Sequence, residues 1–175
     1  MLIDINIYMS SNPEGFHKLQ ERWTLYTHLP HDTDWSIDSY REILTFTNVE
    51  EAISLYESIP ETLVKNCMLF LMKNNIKPVW EDLSNKKGGC FSYKINNNNV
   101  YNAWKNLSYS LMGRTASMNQ DIQEHINGAS ISPKRNFCII KIWMNDNTYT
   151  NPKDIIPIPS LECNSVLFKL HSPEY

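Results

Sequence analysis

Residues 75–95 read NIKPVWEDLSNKKGGCFSYKI. Trp80 stands here in a polar setting, followed by two acids, Glu81 and Asp82, and then by a turn-rich run ending in Gly88 and Gly89. Cys90–Ile95 beyond it is rich in aromatic and β-branched residues and reads as a strand. An indole in such a loop leaves apolar area in water and so more often marks a binding surface than a lone core residue would. Trp35, in DTDWSIDS, has the same character. Trp23 and Trp104 differ, because they sit in apolar periodic patterns that predict core packing.

Outward from this stretch, Arg22–Thr27, Tyr40–Thr47, Asn66–Lys73, Phe137–Met144 and Val166–His171 also read as strands. In Phe137–Met144 the alternation of faces puts Ile139, Lys141 and Trp143 on one side and Cys138, Ile140 and Ile142 on the other. Two helices are expected. Val49–Ser58 carries Val49, Ala52, Ile53 and Tyr56 at helical spacing behind an Asn48 N-cap, and Val100–Met112 carries Trp104, Leu107, Leu111 and Met112 and stops at Gly113. Asn99 is positioned to cap the second helix, and a short helix is expected over Met118–His125. Strands interrupted by helices without a regular βαβ rhythm predict an α+β domain built on an antiparallel sheet. Residues 1–16 lack a clear period and read as a flexible N-terminal segment, with residues 17–175 forming one domain.

Composition narrows the function. The 175 residues are 42% hydrophobic and 20% charged, as in an ordinary globular chain. A net charge of -3 argues against a grip on a long phosphate backbone, which draws its affinity from a basic stripe. Contact with nucleic acid would then be confined to one place. The longest apolar run, Cys67–Met72, is too short for a membrane span, and no secretory signal is evident. The four widely spaced cysteines read as reduced thiols, which predicts a cytoplasmic protein, with the nucleus as an alternative. No phosphate loop, G-x-S-x-G or H-E-x-x-H occurs, and the expectation is a non-enzyme without a cofactor. His28, His31, Asp32 and Asp34 invite a metal reading, but their loop-like segment, broken by Pro30, does not align them as ligands, and no metal is expected. Glu50 and Glu51 suit a helix N-terminus.

The P-x-W-E-D-x-x-N-x-x-G-G pattern of residues 78–89 closely resembles the translation initiation factor 4E family, the eukaryotic cap-binding proteins. The resemblance extends over HKLQERWTLY (17–26), DTDW (32–35), FTNVEEAISLYESI (46–59), AWKNLSYSLMG (103–113) and KIWM (141–144), with a last strand at SVLFKLHS (165–172). It implies a curved antiparallel sheet with helices on the convex face. It further implies that Trp35 and Trp80 sandwich a 7-methylguanine, whose delocalised positive charge adds cation–π attraction to stacking. Glu81 would accept from the guanine N1–H and N2–H, the Trp80 backbone N–H would meet O6, and Trp143 would line the methyl group. The implied partner is capped mRNA, bound by a protein that is monomeric on its own.

The family's phosphate and partner residues carry over less completely. Lys134 takes the place of an arginine that meets the triphosphate, keeping the charge without the bidentate fork. Cys90 and Ile139 occupy two other cationic positions. Lys141 and Arg135 are the expected compensation, with ordinary surface charge as the alternative reading of both. On the back surface, where the family binds initiation factor 4G, His17 and Val49 match. Lys18, Ile53, Lys105 and Asn106 replace a Pro, a Trp, a Leu and a Glu. Loss of the Trp anchor and the Glu acceptor would remove most of the hot-spot energy. The expected partner is therefore an initiation factor 4G-like scaffold or a divergent, co-adapted one, or the protein is a cap-binding decoy or repressor. NPKDIIPIPSL (151–161), with three prolines, stands where the family has a long helix, so a shortened C-terminal region is expected.

Overall fold

The computed structural model describes residues 15–161 and 166–171. The expectation for residues 1–16 therefore lies, apart from Gly15 and Phe16, outside the described residues, as does Cys163. One antiparallel sheet of seven strands runs in the order β2-β1-β3-β5-β6-β4-β7. The strands are β1 (Lys18–His28), β2 (Arg41–Asn48), β3 (Met68–Lys73), β4 (Gly89–Asn96), β5 (Ile126–Pro133), β6 (Phe137–Met144) and β7 (Leu167–Leu170). Four helices accompany them among the described residues: α1 (Val49–Ser58), α2 (Glu61–Asn66), α3 (Val100–Met112) and α4 (Gln120–His125).

Alternation along the strands divides the sheet into two faces. Leu25, Leu71, Phe91, Tyr93, Ile131, Cys138, Ile140 and Ile142 point to the helices and join Leu55, Tyr56, Val64, Trp104 and Leu107 in the main core. Trp23 and Trp104 are 2% and 1% exposed, the core placement their patterns predict. The opposite face carries a smaller cluster of Tyr26, Phe70, Met72 and Trp143. Among the described residues no helix contributes to this cluster.

Two elements depart from the sequence reading. The strand expected over Asn66–Lys73 begins at Met68, because α2 occupies Glu61–Asn66. Six residues are too few to show a helical period, although Leu63 and Val64 are both buried. β5 was not expected at all, since INGASISP has weak strand propensity. It forms because it is central: Leu71 of β3 and Ile142 of β6 both pair with Ala129. Burial and pairing on both sides override local preference there.

Asn48 caps α1 as expected, its Oδ1 accepting the Glu51 N–H at 2.8 Å while the Glu51 carboxylate accepts the Thr47 N–H at 3.0 Å. Asn99 does not cap α3 with its side chain, because its own backbone is already helical at φ -104, ψ -7. Gly113 ends α3 in right-handed geometry, and the left-handed residue is Arg114, φ 54. That turn brings the Arg114 guanidinium to the carboxylates of Glu21 and Glu124. Residues 151–161 contain only a 3-10 turn at Pro152–Asp154 and a bridge between Ile158 and Leu161, in line with the missing long helix. Among the described residues no helix is long and apolar enough to cross a membrane.

Gly88 sits where the chain enters β4 against the end of β6. A Cβ there would lie 1.8 Å from the Met144 carbonyl oxygen, which is fixed backbone. Gly88→Ala is therefore expected to destabilise the fold by at least about 1–3 kcal/mol, as overpacking does, measurable as a lower urea midpoint.

Candidate functional site

A cavity of about 300 Å³ opens on the face that carries Phe70 and Trp143. Its floor is sheet: Phe70 from β3, Ser130 from β5, and Lys141 and Trp143 from β6, with Tyr40 at the entry to β2. The Trp143 indole N–H donates to the Ser130 hydroxyl at 2.9 Å, which fixes the ring and satisfies its one polar atom. Phe70 meets Tyr40 edge-on at 5.2 Å and Trp143 at 6.4 Å, so the floor is a continuous aromatic surface.

Two loops supply the walls. Trp35, 55% exposed, stands in the loop after β1 and stacks flat on His28, with ring centroids 4.2 Å apart and planes 4° from parallel. His28 is buried, its Nε2 lies 2.8 Å from the Asp34 carbonyl oxygen, and its ring meets Tyr40 edge-on. The neighbouring acids shape this loop. Asp32 accepts the Asp34 N–H, while Asp34 accepts the Ser36 N–H and hydroxyl, contacts that hold its carboxyl below the usual range. His28, Asp32 and Asp34 thus serve to set Trp35, and among the described residues no group of three potential metal ligands occurs.

The opposite wall is the stretch at 77–89. Asn85, fully buried, donates both Nδ2 protons, to Lys77 O at 3.0 Å and Val79 O at 2.8 Å. Its Oδ1 accepts from Asn127 of β5 at 2.9 Å, and Asn127 also donates to Ser84 O at 2.7 Å. Asp82 accepts the N–H groups of Lys77 and Ser84. Trp80, 38% exposed, and Glu81 project from this pinned loop into the cavity lining. Burial, and then the Glu81 charge, push the Tyr40 phenol up from its ordinary value. No protein donor bonds the Glu81 carboxylate among the described residues.

The structure thus brings Trp35, Trp80, Glu81, Trp143 and Lys141 together around one cavity. Lys134 and Arg135 lie elsewhere, exposed in the β5–β6 hairpin turn closed by the Lys134 N–H to Phe137 O bond, and they do not line it. Sequence reasoning missed His28, Tyr40, Phe70, Ser130, Asn85 and Asn127. Only Asn85 carried a signal, as the Asn of the pattern that names Trp80.

A second basin, about 430 Å³, continues from the first and shares Trp80, Lys141 and Trp143 with it. His171 tilts against Trp143 at 4.7 Å. Burial, and then the Lys141 charge, push its imidazole down to about 4 from 6.5. Above pH 6.5 the ring is neutral folded or unfolded. Between 6.5 and 4 only the unfolded chain takes the proton, so stability falls as the pH is lowered through that window. The thermal midpoint of the wild type is expected to drop more steeply from pH 7 to 4.5 than that of His171→Gln.

On the helical side, Leu19, Val49, Ala52, Ile53, Tyr109, Met112 and Gly113 line an apolar groove of about 220 Å³. Val49 and Ile53 thus both line one groove. The other four back-surface residues, His17, Lys18, Lys105 and Asn106, are outside this lining. His17 bonds Glu50 through both its N–H and its ring, Lys105 pairs with Glu57, and Asn106 donates to Pro159 O at 3.3 Å.

A helix-backed antiparallel sheet whose open face carries an aromatic slot, with the Glu81 carboxylate in its lining, has the build of a base-stacking binding protein. The family model of Eukaryotic initiation factor 4E matches residues 18–168. The chain belongs to that family. It is 34% identical over 134 residues to a eukaryotic translation initiation factor 4E of Eremothecium gossypii, an alignment covering 73% of this chain and 62% of that protein. With eukaryotic translation initiation factor 4E1 of Drosophila melanogaster it shares 32% identity, over 74% of this chain and 51% of the other. The chain thus spans only about half to two thirds of these relatives. Among solved structures it resembles the Ascaris suum eIF4E-3 complex with an m7G cap, with TM-score 0.67 and 26% identity over 75% of this chain and 74% of that one. It also resembles C. elegans eIF4E-3 in complex with the 4E-binding protein Mextli and a cap analogue, with TM-score 0.68 and 26% identity over 76% of each chain.

Proposed function

We propose that this chain is a non-enzymatic protein that binds the 7-methylguanosine cap of messenger RNA and recruits the message for translation initiation in the cytoplasm. Residues 17–175 act as a single cap-binding domain in this reading. Trp35 and Trp80 stack on the two faces of the methylated base, each contributing roughly 1–3 kcal/mol. Its delocalised positive charge adds cation–π attraction that unmethylated guanine lacks. Glu81 accepts from N1–H and N2–H, the Trp80 backbone N–H meets O6, and Trp143 lines the methyl group. Lys141, which lines the cavity, faces the phosphates, and Lys134 and Arg135 in the exposed hairpin turn are the further candidates for that contact.

One observation carries this reading. Two indoles and a carboxylate that has no partner among the described residues, from loops 45 residues apart in the chain, line one cavity floored by a third indole. The caps bound by the Ascaris suum relative agree with it. The test is quenching of tryptophan fluorescence by 7-methyl-GTP against GTP. Strong quenching by the methylated nucleotide alone is expected, and equal weak quenching by both would sink the proposal.

For the back surface, the apolar groove around Val49 and Ile53 favours a helical peptide from an initiation factor 4G-like scaffold or a divergent, co-adapted partner. A second reading, a cap-binding decoy or repressor, draws on Lys105 and Asn106, which are tied to Glu57 and Pro159. Binding of initiation factor 4G peptides, set beside retention on a cap resin, separates the two.

A further inference from the structure

We propose that the phosphate chain of the bound nucleotide is held from the edge strand β7, by Lys169 acting with Lys141 across the second basin. The proposal rests on the cap-binding reading and adds to it a residue and a direction.

The sheet register makes the arrangement explicit. Cys90 of β4 lies between Trp143 of β6 and Lys169 of β7, and Ser92 lies between Lys141 and Leu167. Lys141 and Lys169 therefore flank β4 diagonally, over a strip whose side chains, Cys90 and Ser92, are small. Cross-strand neighbours stand about 4.5–5.5 Å apart at Cβ, so two lysine stems on either side of such a strip can converge on one anion above it. Both lysines line the basin, and Lys141 also lines the aromatic slot, so the two cavities form one path.

Charge points the same way. The basin lining contains no Asp or Glu among the described residues. Among the described residues neither Lys141 nor Lys169 has a carboxylate partner, whereas Lys65, Lys105 and Arg114 all do. In a chain of net charge -3, two unpaired lysines facing one cavity make a local anion site. Among the described residues the only acid in the path is Glu81, in the lining of the slot and not of the basin. The path is thus acidic where a base edge would be read and basic where a polyphosphate would leave. Ser92, whose hydroxyl lies beside the Cys90 thiol at 3.6 Å, adds a donor to the strip. The hairpin residues Lys134 and Arg135 line neither cavity.

The test compares affinities for 7-methylguanosine, 7-methyl-GMP and 7-methyl-GTP in the wild type, Lys169→Ala and Lys169→Arg. Lys169 is exposed, so neither variant threatens the fold. Affinity is expected to rise with phosphate number in the wild type. Lys169→Ala should lose roughly tenfold for 7-methyl-GTP, the scale of a bond to a charged group, with the nucleoside unaffected. Lys169→Arg should retain most of the gain. A wild-type ratio of triphosphate to nucleoside affinity in Lys169→Ala, with nucleoside binding intact, overturns the proposal and leaves the cap reading standing. So does a loss that appears in Lys134→Ala instead. Absence of binding by any methylated nucleotide, in the wild type itself, overturns both.

Discussion

Glu81→Ala is expected to abolish retention on a 7-methyl-GTP resin while leaving the thermal unfolding midpoint where it is. The two halves of that result have separate causes. Glu81 is exposed, and among the described residues no protein donor bonds its carboxylate, so truncation leaves no partner unsatisfied in the fold. Two bonds from N1–H and N2–H to a charged acceptor, at about 1.5–3 kcal/mol each, put the loss of affinity above a hundredfold. Glu81→Gln should fare little better, because its amide would turn a donor toward a donor edge. Retention by Glu81→Ala would mean that the guanine edge is read by another group.

The second large effect is expected at Asn85, which need not touch ligand at all. Asn85→Ala removes the donors to Lys77 O and Val79 O and the acceptor for Asn127. At about 1–3 kcal/mol for each buried group left unsatisfied, a loss of about 3 kcal/mol or more follows. In a chain of this size that lowers the thermal midpoint by roughly 6–12 °C. The same change releases the backbone on either side of Pro78, so cap affinity should fall even well below the new midpoint. Wild-type affinity in a destabilised Asn85→Ala would show that the turn around Asp82 is enough to hold Trp80.

The contrast between Glu81 and Asn85 bears on what could be read from the residues. Trp35, Trp80 and Glu81 are legible because indoles and a carboxylate in polar loops have few structural uses, and strand alternation puts Trp143 and Lys141 on one face. Asn85 and Asn127 are 42 residues apart and meet only because β5 lies in the middle of the sheet. β5 itself hides behind Gly and Ser. His28 looks like half of a metal site until Trp35 is seen lying on it. Lys134 and Arg135 show a related limit: the sequence supplies a position along the chain, but the hairpin turn leaves both outside the cavity linings. Lys169 offers no local signal, because its significance comes from pairing opposite Cys90.

His28 under Trp35 has a consequence for the cost of binding. A side chain that must be immobilised by its ligand loses roughly 0.5–1.5 kcal/mol of rotamer freedom at that moment. Here the indole is already sandwiched on its inner face by a buried ring, and that ring is anchored to the carbonyl of the residue before Trp35. The loss of freedom is therefore incurred when the chain folds. In the proposed binding mode an incoming base would complete a pile of four rings, of which the first two are already in place, and would meet on that side a wall rather than a latch.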